Sequence, residues 1–411
     1  MARKMKDSGI EWIGEIPEGW EVVQLKRFAE VHNGREIDVE VNSTDSSAVG
    51  VYGSGGVFKY TNRAQYSGKA VLFGRKGTLG KPLYVEGQLW AVDTMYFLTY
   101  SNRLLEKFSY YQFLAFNWAP YITHTAIPSV VASEIVACYF PIPPLEEQAK
   151  IADYLDNGCA SLDTILDKTR SSIEEYKKLK QAVITQAVTK GVRGKREMKD
   201  SGVEWIGKIP REFDPVQLKF FCKLITDGTH FSPTTVENGW PYITAGDVHG
   251  IGLDYNSAKR ISEEDFQLLV AQGCQPLKGD VLLVKDGATT GRVGFVDSDT
   301  PCVILSSVAM LRPADKTDGH YLMYLLASDF LQKQILVSMA GSAMPRTTLT
   351  KLTKYIGLLP PLYEQKEIAD HLDAKCAEID KLNAKKEQLV KELESYKKSL
   401  IYEVVTGKRE V

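Results

Sequence analysis

The chain has 411 residues, 44% of them hydrophobic, which is too long for one ordinary core and calls for at least two domains. No run of about 20 apolar residues is present to span a membrane, and the polar start, with Arg3, Lys4, Lys6 and Asp7, lacks the apolar stretch of a signal peptide. A formal net charge of −2 excludes a uniformly basic nucleic-acid binder, and six scattered cysteines without a CxxC pair argue for reduced thiols in a cytoplasmic protein rather than a zinc site or a disulfide frame.

In chain order, a lead-in segment (1–20) carries Met5-Lys6-Asp7-Ser8-Gly9, Trp12 and Ile16-Pro17. A module over 21–143 follows, rich in turn signals such as Gly53-Ser54-Gly55-Gly56. It holds a strand-like run, Lys69-Ala70-Val71-Leu72-Phe73, bounded by Gly68, and a short helix predicted over 104–116. Pro143-Pro144 then precedes a helix that occupies 144–195, with Glu146-Glu147 in the first turn, where the helix dipole favours acid. Leu162, Ile165, Thr169, Ser172, Tyr176, Leu179 and Val183 follow a 3–4 spacing along it.

Everything then returns. The segment 196–212 repeats the lead-in as Met198-Lys199-Asp200-Ser201-Gly202, Trp205 and Ile209-Pro210, and Val216-Gln217-Leu218-Lys219 repeats Val23-Gln24-Leu25-Lys26. A second module spans 213–360, with turns at Asp227-Gly228 and Asp286-Gly287, a strand at Asp280-Val281-Leu282-Leu283-Val284 after Gly279, and a short helix over 321–336. A second helix (361–411) follows Pro360-Pro361, with Ile379, Leu382, Lys386, Leu389, Leu393, Tyr396 and Leu400 as its seam. Two matched seams each need a partner, which predicts that the helices pair. The fold expected is α+β: two globular modules separated by two long helices in an antiparallel coiled coil, related by an internal pseudo-two-fold repeat.

Catalytic motifs are missing where chemistry would need them. The nearest approach to a phosphate-binding loop, Gly74 to Gly80-Lys81, is one residue too long and has Pro82 where a hydroxyl belongs. The Pro-Pro pairs are not followed by the aromatic residue that an amino-methyltransferase sets beside a flipped base. Asp280 with Lys285 hints at a metal-dependent nuclease, but Lys69 stands at the matching place in the first module, and a strand-start acid is the plainer reading. No catalytic, metal or cofactor site is expected.

Nucleic-acid contact is the better prospect. In the first module Lys59, Arg63, Lys69, Arg75, Lys76 and Lys81 form a stretch opposed only by Glu86, interleaved with Tyr52, Tyr60 and other aromatics. The plainer alternative is a solvated basic face. Aligned halves match Arg75 with Lys285, Gly77 with Gly287 and Lys81 with Arg292, so each central strand ends in a basic residue and a glycine loop. Later, Ala126-Ile127-Pro128 matches Ala343-Met344-Pro345, followed by Ser129 in one module and Arg346 in the other. A rigid loop carrying a variable polar residue suits a base reader, and Arg346 has the donors for the major-groove acceptors of guanine. The candidate contacts are completed by Ser54, Thr78, His124, Thr229, His230, Thr289, Ser342 and Met344.

Taken together, Ile142-Pro143-Pro144-Leu145-Glu146-Glu147-Gln148, its repeat Leu359-Pro360-Pro361-Leu362-Tyr363-Glu364-Gln365, the helix ends Val188-Thr189-Lys190-Gly191 and Val405-Thr406-Gly407-Lys408, and Asp227-Gly228-Thr229-His230-Phe231 with Tyr242-Ile243-Thr244-Ala245-Gly246-Asp247 resemble the specificity subunits of type I restriction-modification enzymes. The resemblance covers essentially the whole chain. It implies two target-recognition domains reading the halves of an asymmetric bipartite site in double-stranded DNA. It also implies docking of methyltransferase subunits, two of them, motor-nuclease subunits in the full complex, and no membrane partner. The competing classes are a nuclease or methyltransferase with paired recognition domains, and a stand-alone paired-domain binder of nucleic acid.

Overall fold

The strand-forming run of the first module folds into one six-stranded sheet in the computed structural model, which describes residues 3–123, 125–249, 252–339 and 345–411. The chain divides into two compact units, Met1–Arg170 with Lys386–Val411, and Ser171–Lys385. Each contains one module and one end of each long helix.

In the first unit the sheet order is Ala29–Asn33, Met95–Tyr100, Tyr66–Gly74, Leu83–Ala91, Val49–Gly53, Gly56–Thr61. Neighbours are antiparallel except Leu83–Ala91 beside Val49–Gly53, which run parallel with Val51 opposite Trp90. The apolar run at Lys69–Phe73 lies in the central Tyr66–Gly74 strand, where Ala70 to Phe73 are fully buried. Beneath it the helix Glu106–Ala115 packs an aromatic cluster: Phe73 lies 5.6 Å from Phe113 and 5.5 Å from Trp118, and Phe116 stacks on Phe140 at 5.4 Å.

The second unit repeats this strand order with one added edge strand, Thr235–Val236, split into two four-stranded sheets. One runs Cys222–Asp227, Val308–Pro313, Val281–Val284, Val293–Phe295; the other runs Thr235–Val236, Lys259–Ile261, Trp240–Ile243, Val303–Ile304, with the last pair parallel. The long strand Leu83–Ala91 of the first unit serves both sheet halves. Its counterpart is cut into Val293–Phe295 and Val303–Ile304 by Asp297-Ser298-Asp299-Thr300-Pro301, residues that favour turns and lack a ladder donor at proline. The single helix expected over 321–336 is two, Gly319–Ala327 and Asp329–Ser338. They meet at Ser328, which takes an extended conformation (ψ 147°) and donates its hydroxyl to the Leu325 carbonyl at 2.6 Å.

Both modules close on the same neck. Glu21–Gln24 pairs antiparallel with Tyr139–Ile142, and Asp214–Gln217 with Ile356–Leu359, so each module starts and ends side by side. Just beyond the neck, a buried glutamine ties the helix start to the module. Gln148 accepts from the Leu105 amide (2.8 Å) and donates to the Arg103 and Pro143 carbonyls (3.1 and 2.9 Å). Gln365 accepts from the Asp318 amide (2.8 Å) and donates to the Lys316 and Pro360 carbonyls (2.9 and 2.8 Å). Two turns on, Asp156 accepts from the Tyr111 hydroxyl (2.5 Å) and Asp373 from that of Tyr324 (2.7 Å); burial, then these bonds, raise both phenols well above their usual range. Glu147 binds Arg3 (2.6 Å), which lies over Trp20, and Glu364 binds Arg196 (2.6 Å), which lies over Phe213.

The long helices are Leu145–Lys190 and Leu362–Val405. Within the first unit they run antiparallel, with Ile151, Leu155, Cys159 and Leu162 sharing a core with Leu400, Ile401, Val404 and Val405, and with Asp163 bound to Lys397 (2.6 Å) and Arg170 to Glu394 (2.5 Å). Within the second unit, Ile184, Ala187 and Val188 share a core with Ile368, Leu372 and Cys376, and Lys180 binds Asp380 (2.6 Å) and Arg193 Glu367 (2.7 Å).

The seam differs from the expected one at alternate positions. Leu162 and Thr169 are buried as expected, whereas Ile165 is exposed with Leu166 buried in its place, Ile173 is buried in place of Ser172, and Leu179 is exposed beside half-buried Lys180. In the second helix Leu382, Leu389 and Tyr396 are exposed and Asn383 is buried. At 3.6 residues per turn both i+3 and i+4 lie near one face, and at Ile165/Leu166 and Leu389/Val390 apolar residues stand at both, so the partner helix selects between them. Among the described residues, no helix is long and apolar enough to cross a membrane.

Candidate nucleic-acid interface

Two segments that align between the halves meet in space, in the same way, in both modules. In the first, the loop after Gly74 is joined to the late loop through an isolated antiparallel bridge, Lys76 to Ser129. The Gly77 amide donates to the Pro128 carbonyl (3.0 Å), the Val130 amide to Arg75 (3.0 Å), and the Arg75 amide to Thr94 (2.7 Å). In the second, the bridge is Asp286 to Arg346, and the same three bonds recur: Gly287 amide to Pro345 (2.9 Å), Thr347 amide to Lys285 (2.9 Å), and Lys285 amide to Ser307 (2.8 Å). Gly77 and Gly287 both have positive φ (82° and 98°), which lets each loop turn back on the proline-bearing segment. The motif pair noted along the chain is therefore one structural element.

The side chains on this shared frame differ. In the first module Lys76, Thr78 and Lys81 are exposed, Arg75 is half-buried with its guanidinium 5.8 Å from the Tyr96 ring, and the Ser129 hydroxyl lies 2.9 Å from that of Thr123. Ser54 sits in a hairpin turn that lines one shallow cavity with Thr94, so the turn adjoins the Arg75 loop. Tyr52 and Tyr60 are half-buried on the flanking strands; burial, then Tyr60, raises the Tyr52 phenol, which stays protonated as a donor. Lys59 binds Glu40 (2.8 Å), Arg63 pairs with Asp38 and lies over Trp90, and Lys69 reaches Glu86 only at 3.9 Å. The basic stretch is thus opposed by Asp38 and Glu40 as well as Glu86, acids too distant along the chain to be counted from sequence.

In the second module Lys285 is 2% exposed and lies between Asp227 (3.3 Å) and Asp286 (2.8 Å), so it points inward and holds two carboxylates. The other oxygen of Asp286 meets Nε of Arg346 at 2.9 Å, while the Arg346 side chain remains 58% exposed. Arg292 is exposed, Thr289 half-buried, and Thr290 donates to the Gly287 carbonyl (2.7 Å), tightening the loop. Thr229 is buried, its amide bound to the Ile304 carbonyl (3.1 Å), and His230 projects outward, 3.9 Å from Asp227. His124, Ser342 and Met344 lie outside the described residues.

Asp286 and Asp227 were missed as site residues. The signal was available: Arg75-Lys76 aligned with Lys285-Asp286 reverses a charge at a shared position. Asp280, weighed as a metal ligand, is buried and bound by both Nε (3.0 Å) and Nη2 (2.8 Å) of Arg312, a closed ion pair inside the sheet. What each loop pair offers is donors and acceptors on a stiff frame.

Comparison with known proteins fits this duplicated plan. The family model of the type I restriction modification DNA specificity domain matches twice, over residues 17–175 and 210–392. The specificity subunit of the type I restriction enzyme MjaVIII of Methanocaldococcus jannaschii is 27% identical over 429 residues, covering 96% of this chain and 93% of that protein. The EcoBI specificity subunit of Escherichia coli is 25% identical over 278 residues, 65% of this chain and 57% of its own. A solved chain from work on "complex assembly and conformational transition of the type I R-M system" superposes with a TM-score of 0.72 at 18% identity, over 96% of this chain and 99% of the other.

Proposed function

The chain belongs to the type I restriction-modification DNA specificity family, as a specificity subunit that recognises DNA sequence, and on that footing we propose that its two modules each read one half of a split, asymmetric site in double-stranded DNA. The carrying observation is the loop pair at the end of each central strand, built on one backbone frame but bearing different side chains. One frame with two chemistries is what two unlike half-sites require.

The domains of this reading are the modules 21–143 and 213–360, with 1–20, 144–195, 196–212 and 361–411 as the shared scaffold. Lys76, Lys81, Arg75, Arg292, Arg346, His230 and the loop hydroxyls supply phosphate and base contacts. Lys59 and Arg63, already paired with acids, contribute less. The scaffold, present twice, docks two methyltransferase subunits, and motor-nuclease subunits join through them. Catalysis belongs to those partners, the chain itself needs no cofactor, and the complex works in the cytoplasm, where the DNA is.

The test is methylome sequencing of the host with and without this gene. One bipartite methylation motif should vanish on deletion and return with the gene. A methylome unchanged by deletion, in cells making the methyltransferase partner, overturns the proposal.

A further inference from the structure

Taking the loop pairs as DNA-facing, we propose that Arg346 reads a single guanine in the second half-site, and that Asp286 and Lys285 are positioning residues that aim it. The backbone on both sides of Arg346 is pinned. The Gly287 amide holds the Pro345 carbonyl, the Thr347 amide holds the Lys285 carbonyl, and the fully buried Thr347 hydroxyl lies 2.6 Å from that of Tyr355. The side chain is drawn to the same loop by an ion pair. One oxygen of Asp286 meets Nε of Arg346, and the other accepts from the buried Lys285 ammonium at 2.8 Å. The Arg346 side chain stays 58% exposed around this ion pair, and a guanidinium edge carrying two N–H donors matches the paired N7 and O6 acceptors of guanine. An exposed arginine normally loses rotamer freedom on binding; here the carboxylate has already restricted it.

Charge separates this reading from a phosphate clamp. Lys285 and Arg346 carry two positive charges, and Asp227 and Asp286 two negative ones, so the cluster is formally neutral and sets a carboxylate beside any phosphate that approaches. The equivalent place in the first module is the reverse: Arg75 and Lys76 have no ion-pair partner among the described residues, and Ser129 and Thr123 supply only hydroxyls. The shared frame thus carries a neutral, hydrogen-bonding reader in one module and a cationic one in the other.

The experiment uses the full chain assembled with its methyltransferase partner, bound to a panel of duplexes with every single-base change in the site, at several salt concentrations. Arg346→Ala should lower discrimination at one G·C pair of one half-site by roughly 10- to 100-fold and leave the salt dependence of binding unchanged. Asp286→Asn, which leaves Lys285 paired with Asp227, should relax the same position by a smaller factor, and the double variant should be no worse than Arg346→Ala. A uniform loss across all sequences with a shallower salt slope would make Arg346 a phosphate contact and overturn the assignment. So would an Asp286→Asn variant that discriminates like wild type. If the wild-type complex itself shows no base preference in that half-site, the reading of the modules fails instead, and the two failures are told apart on the same panel.

Discussion

Glutamine 365 shows how much a single side chain does at the neck. It is fully buried and meets the Asp318 amide and the Lys316 and Pro360 carbonyls. Gln365→Leu keeps the volume and orphans all three backbone groups. A buried unsatisfied group costs about 1–3 kcal/mol, and with the Pro360 carbonyl in that position the second unit should lose about 1–3 kcal/mol. Denaturant unfolding against the exposed control Gln388→Leu checks this, and equal midpoints for the two variants would refute it. The Pro-Pro-Leu-x-Glu-Gln motif was legible as a repeated signature, and the proline and first-turn acid as a helix start. That its glutamine is a backbone clamp was not, because its partners lie up to 49 residues away.

At the scale of an element, the long helices show where periodicity stops being informative. Helix length and type followed from the repeat of apolar residues between lysines and glutamates, but the seam lay one residue over at every second position. The difference is measurable. Leu166→Ala removes a side chain that is 3% exposed and should cost about 2–3 kcal/mol, whereas Ile165→Ala, at a position 46% exposed, should cost under about 1 kcal/mol. Thermal unfolding of the two variants decides it; the opposite order would put the seam back on the Ile165 face. Polar residues also occupy the seam, Thr169 in one helix and Asn383 in the other. Asn383 carries a buried side-chain oxygen without a hydrogen-bond partner, a cost that a seam tolerates where a polar residue excludes other registers.

For the whole molecule, the paired neck strands make each module exchangeable in principle. Glu21 stands opposite Ile142, so residues 21–143 enter and leave at one place. Replacing them with the module of another family member should alter one half of the methylated motif and leave the other half and the methylation activity intact, as read by methylome sequencing. A change in both halves would show that the modules do not read independently. The sequence by itself determined the duplicated plan, the two long helices and the turn-rich modules between them, because repeats, prolines and heptad spacing act over short distances along the chain. Tertiary structure alone decided that Asp38 and Glu40 neutralise Arg63 and Lys59, that Lys285 is buried between two aspartates, and that the glycine loop and the proline loop of each module are one element. Those outcomes depend on which distant segments the sheet brings together, and charge pairing and burial are properties of that proximity rather than of any local run of residues.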